Sequence, residues 1–212
     1  VWARENTREA LFDALERKEV YATTGPRIAM RFFAGWDYEA GDSHSPTLAD
    51  IGYSKGVPMG GYLSKGPDNG RPTFLLQALK DPDGANLDRA QIVKAWLNDL
   101  GVSQERVYDV ALSDSRVIDS NTGKAPAVIS TVDIAQASYS NSVGDVSFSV
   151  FWEDPDFDPA QQAFYYARVI EIPTPRWTAY DAKFFNLDPP KEIPMVTQER
   201  VYSSPIWYGP GR

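Results

Sequence analysis

Residues 145–152 read DVSFSVFW, so Val146, Phe148, Val150 and Trp152 fall on one side of an extended chain and Ser147 and Ser149 on the other. Successive side chains of a strand point to opposite faces, so this period of two predicts a strand with one buried face. A similar β pattern occurs at 27–34, 73–80, 90–97, 106–112, 127–135, 163–172 and 199–207. At 27–34, Ile28, Met30 and Phe32 oppose Arg27 and Arg31; at 73–80, Phe74, Leu76 and Ala78 share one side. Turn chemistry separates the runs: DPDG at 81–84, NTGK at 121–124 and DPDFDP at 154–159. About eight short strands with such spacing predict a mainly β chain folded as an antiparallel β-sandwich, not a βαβ fold.

Four further stretches complete the reading. Asn6, three residues before Glu9, predicts a capping box for a helix from about residue 7 to 18, with Ala10, Leu11, Ala14 and Leu15 as its apolar stripe. A short β-branched and aromatic run, 20–24, follows and stops at Gly25-Pro26. Residues 35–71 hold eight glycines and read as a long loop, with a short pairing near 52–63. Pro173 and Pro175 make 172–177 a rigid extended segment.

Composition removes whole classes of chemistry. The chain has no cysteine, which excludes disulfides, thiolate metal sites and a Cys nucleophile, and its one histidine, His44, excludes a poly-His metal centre. Twenty-one Lys and Arg against 29 Asp and Glu give a net charge of −8, which disfavours nucleic acid and anionic membrane surfaces as partners. No apolar run is long enough to span a bilayer. The absence of cysteine fits a periplasmic or secreted setting, and many cytosolic ones.

Several long stretches carry a resemblance: NTREALFDALERKEVYATTGPRI, GVPMGGYL, LKDPDGANLDRAQIVKAW, VYDVALS, WEDPDFDPAQQAFYYARVIEIPTPRWTAYDA and QERVYSSPIWY. Together they resemble the C-terminal portion of the bacterial domain-of-unknown-function family 3604, which is similar to PHP-type metal-dependent hydrolases. The resemblance implies that residues 1–26 are a helix and strand left from a preceding barrel-like hydrolase domain, and that 27–212 form the β-sandwich. It further implies that the divalent metal belongs to His-rich motifs upstream of this region, so no cofactor is expected in this chain. GDSHSP at 41–46 has a single His and lacks the pattern of such a motif.

Candidate site residues remain few. Asp154, Asp156 and Asp158 bring three carboxylates close if their loop curls, as Ca²⁺ requires, although Pro155 and Pro159 break the pattern of a calcium-binding loop. The same spacing serves ordinary turns. A second acidic turn, Asp81 to Gly84 with Asn86 and Asp88, reads the same way. Arg27 offers a fork-shaped guanidinium for an oxyanion at a neighbouring site, or a salt bridge across the join. Arg176 and Trp177 offer a ligand contact or a cation–π pair. Paired carboxylates such as Glu153 with Asp154, or Glu171, are present, but an acidic chain supplies these freely. In Tyr165-Tyr166 and Trp207-Tyr208, alternation must turn one ring of each pair outward.

The expectation is a non-catalytic accessory sandwich that shapes or covers the active site of a metal-dependent hydrolase. Its first partner is the N-terminal hydrolase domain of the same protein. A homodimer through the helix is the second, with an apolar patch at Trp2, Leu11 and Leu15 in either case. The alternative is a sandwich that binds carbohydrate or another ligand through a row of exposed aromatics or a groove.

Overall fold

A computed structural model describes residues 1–68, 70–119 and 125–210. Two antiparallel sheets face each other. The larger is built on the central strand β9 (Ala163–Glu171), one edge of which pairs along its length with β6 (Leu87–Leu97), itself paired with β7 (Ser103–Leu112). The other edge of β9 is shared: β12 (Arg200–Ser203) takes one end and β13 (Ile206–Tyr208) the other. Beyond β12 lies β1 (Tyr21–Thr23), and beyond β13 lies the parallel strand β4 (Tyr62–Leu63). The second sheet has the order β3 (Gly56–Pro58), β2 (Ala29–Gly35), β5 (Thr73–Leu79), β8 (Ser147–Glu153). A two-stranded ribbon joins β10 (Thr174–Pro175) to β11 (Val196–Thr197).

The expected mainly β, antiparallel sandwich is what forms. Met30 and Phe32 of β2, Phe74 and Leu76 of β5, and Phe148 and Val150 of β8 pack against Ile92, Tyr165, Val169 and Ile206 of the larger sheet. Each strand contributes alternate residues, as the period of two requires. Val146 departs from that reading: it precedes β8 and is exposed. The run 199–207 is two strands, because Pro205 has no N–H for a ladder and its carbonyl instead accepts from Gly60 N at 3.0 Å. Residues 127–135 form no strand. An isolated bridge between Asp133 and Ser138 and a bond from Thr131 Oγ1 to Ser140 O at 2.7 Å hold them in turns. The NTGK turn lies outside the described residues.

The first helix, α1, is Arg8–Glu16, capped by Thr7, whose hydroxyl accepts from Ala10 N at 3.3 Å. Thr7, not Asn6, is therefore the cap, one residue later than the Asn6–Glu9 spacing implied. Of its stripe only Ala14 is buried; Phe12 and Leu15 are 64% and 56% exposed. Trp2 folds back on β2, its indole N–H donating to Met30 O at 2.8 Å under the Arg31 guanidinium.

The glycine-rich stretch is more structured than a loop. A 3₁₀ turn at Ala40–His44 and the helix α2 (Leu48–Lys55) cover the outer face of the second sheet, where Tyr38 and Leu48 join Phe33 and Leu75 in a separate small core. Gly52 permits this: a Cβ there would sit 2.6 Å from the Phe33 ring, and its carbonyl accepts from Tyr38 Oη at 2.6 Å. The prolines at 173 and 175 do hold an extended segment, but Trp177–Phe185 then turn into a third helix, α3, closed by Asn186 in the left-handed region. No described helix is long and apolar enough to cross a membrane.

Candidate functional site

Arg27 meets the second acidic turn. Its backbone N donates to Asp81 Oδ2 at 2.6 Å, and its guanidinium reaches Asp81 at 3.2 Å and Asp83 at 2.5 Å. These donors, the backbone N–H first, hold the Asp81 carboxyl down from 3.8 to about 2. The salt-bridge reading thus describes how the Arg27 fork is used here. Lys80 closes the same turn from the other side, donating to Asp81 O at 2.7 Å and Gly84 O at 2.8 Å.

Beside this turn lies Glu171, at the end of β9 and 2% exposed. A Cβ on Gly84 would lie 3.4 Å from its Oε1, and that oxygen has no hydrogen-bond partner among the described residues. Burial, then the Glu199 and Asp81 carboxylates, push Glu171 from 4.5 up to about 7, against the pull of Lys80. The other polar members of the turn region are engaged. Asn86 donates to three backbone carbonyls of the 141–144 segment, and buried Asp88 pairs with Arg116 and Arg89.

Asp154, Asp156 and Asp158 do share one loop, after β8. Asp154 is fully buried: its Oδ2 accepts from Lys94 Nζ and from Tyr165 Oη, both at 2.7 Å, and its Oδ1 accepts from Asp156 N at 2.9 Å. Asp156 Oδ2 takes Tyr108 Oη at 2.8 Å and the Arg106 guanidinium at 2.7 Å, and Asp158 Oδ1 takes Ala160 N at 2.9 Å. A cation would have to displace an ammonium and a phenol from Asp154, so in this arrangement the three carboxylates do not fit a Ca²⁺ ligand set. Among the described residues no three His, Cys, Asp or Glu side chains are grouped to hold a metal ion. The Lys94–Asp154–Tyr165 cluster is a buried, hydrogen-bonded ion pair that ties β6, β9 and the loop together.

Arg176 is the N-cap residue of α3, and its guanidinium lies 5.3 Å from the Trp177 ring centroid, a cation–π pair. Trp177 is exposed, as are Tyr180 and Phe184, which follow it at helical spacing. Arg27, the Asp154 loop and the Arg176–Trp177 pair each have their own partners, and no site-like convergence of the three is formed.

The outer face of the larger sheet carries the feature that sequence reasoning saw only in part. Tyr165 and Tyr208 point into the core, and Tyr166 and Trp207 point out. Trp207 then stacks on Tyr62 from the glycine-rich stretch, with centroids 6.5 Å apart and planes at 27°, and packs against Phe164 at 4.9 Å with the planes tilted at 48°. These rings line an open groove of about 840 Å³ with Leu97, Gln161, Gln162, Asp99 and Asp158. Tyr62 was the missing part of this row, since nothing local in GVPMGGYL tells which strand it will join.

A family model described as "Protein of unknown function (DUF3604)" matches residues 1–210. The chain belongs to the DUF3604 family. No curated protein and no solved structure gives a match. The long stretches quoted above meet one another in the DUF3604 fold. Arg27 of the first closes on Asp81 and Asp83 of the third, Lys94 of the third on Asp154 of the fifth, and Tyr62 of the second on Trp207 of the last. Each contact joins residues distant in sequence, so these segments act in the architecture as mutual anchors.

Proposed function

We propose that this chain is a non-catalytic accessory β-sandwich of a metal-dependent, PHP-like hydrolase, and that it shapes or covers an active site supplied by another part of that protein. What supports the reading is the contrast between its charges and its apolar surface. Three carboxylates of the acidic turn and loop are engaged by internal donors, Asp81 by Arg27, Asp88 by Arg116 and Asp154 by Lys94, and the unpaired Glu171 is enclosed at 2% exposure. By contrast Phe12 and Leu15 on α1 stand bare at 64% and 56% exposure. Apolar side chains grouped on one helix face are the usual mark of a covered surface. A divalent metal would then be held by the rest of the protein.

The test has two arms. The chain alone is expected to show no chelator-sensitive hydrolysis of p-nitrophenyl esters or phosphoesters. In the longer protein, Phe12→Asp with Leu15→Asp is expected to lower hydrolysis or loosen the assembly. Chelator-sensitive turnover by the chain alone would overturn the reading, and so would a longer protein indifferent to both substitutions.

A further inference from the structure

The groove over the larger sheet has a composition that favours one kind of occupant. Tyr62, Trp207 and Phe164 are direct cross-strand partners: Trp207 is in register with Tyr62 on one side and with Phe164 on the other. Neighbouring strands lie ~4.8 Å apart, so the row spans roughly 10 Å across three strands. Trp207 and Tyr62 remain 38% and 50% exposed, with centroids 6.5 Å apart and planes at 27°, so both rings leave aromatic surface open to a ligand. Such a surface suits the C–H face of a pyranose ring, because the negative face of an aromatic attracts polarised C–H groups.

The rim supplies the complementary chemistry. Gln161 and Gln162 present amides that both donate and accept, and Asp99 and Asp158 present acceptors. An apolar peptide laid over the rings would strip water from those carboxylates without pairing them, at a cost. Sugar hydroxyls would satisfy them. Among the described residues the groove is lined by two aspartates and by no lysine or arginine, in a chain of net charge −8, so an acidic glycan would be repelled. At about 840 Å³ the groove lies within the ~300–1,000 Å³ usual for small-ligand sites.

We propose that this groove binds a neutral saccharide, with Trp207 and Tyr62 as the stacking platform and the Gln161–Gln162 segment as the hydroxyl reader. The assignment goes beyond the accessory role and does not depend on it, since no residue of α1 lines the groove and binding is measured on this chain alone.

The experiment is native affinity electrophoresis of the 212-residue chain through gels containing xylan, glucomannan, galactomannan, laminarin or, as the acidic comparison, alginate. Retardation by at least one neutral polysaccharide and none by alginate is expected. Trp207→Ala and Tyr62→Ala should each weaken binding on the order of tenfold or more while still melting cooperatively. Phe184→Ala, on α3, should bind as the unaltered chain does. The proposal is overturned if no neutral polysaccharide retards the chain, if alginate retards it as strongly, or if both ring substitutions bind normally. It is equally overturned if Trp207→Ala dissolves a dimer, which would make the platform a protein interface.

Discussion

Replacing Glu171 by Gln keeps the volume of a fully enclosed side chain and removes its charge. Its carboxyl titrates near 7 in the folded chain against an ordinary value of 4.5. Because the folded value is raised, the group's contribution to stability is fully present below about 4.5 and is lost as pH rises through about 7. The difference corresponds to ~3 kcal/mol. Urea unfolding of both proteins at intervals from about pH 4.5 to about pH 8.5 separates this from any fixed cost of the new amide, which offsets all points equally. The Glu171→Gln variant should gain on the unaltered protein by ~2–3 kcal/mol across that range, with most of the change between about pH 5 and pH 7.5. A stability difference that is flat with pH would refute the argument, because it would mean that water or a partner already solvates Oε1.

Three further outcomes follow from the same geometry. Lys94→Met leaves the fully buried Asp154 without its cation and should cost ~3–5 kcal/mol in denaturant unfolding, with Asp154→Leu in the same chain recovering most of it. Gly52→Ala drives a methyl to 2.6 Å from the Phe33 ring and should cost ~1–3 kcal/mol, largely relieved by Phe33→Leu, as read by thermal melting. Arg27→Ala removes the guanidinium that helps hold Asp81 near 2, so stability now lost as pH falls from 3.8 toward 2 should be lost at higher pH, seen as an earlier acid transition by circular dichroism.

The sandwich was legible because alternation is a local signal: Phe148 and Val150 declare their face without knowledge of the partner strand. Alternation also misled, since 127–135 has the pattern but no strand beside it to complete a ladder, and Ile129 and Ile134 stay exposed. The helix α3 was hidden because Trp177, Tyr180 and Phe184 are strand-favouring residues and the prolines before them argue for extension. Helix α2 was hidden behind glycine, whose reason for being at 52 is the Phe33 ring on the sheet face that the helix covers. Candidate residues fared by the same rule. That Arg27 or Asp154 would need a partner could be read from the chain; that the partners are Asp81 and Lys94 could not, because they lie 54 and 60 positions away.

The placement of β12 has a consequence for how the chain is made. It lies between β1 and β9, with Tyr21 opposite Ser203 and Arg168 opposite Tyr202, so the first strand cannot dock until nearly the last has been synthesised. Contacts this distant make folding slow, and they leave those edges of β1 and β9 unpaired until residues 200–203 have been made. A nascent chain therefore exposes strand edges until β12 emerges, and loss of residues 198–210 should produce not a smaller sandwich but an open one, prone to pair with other chains.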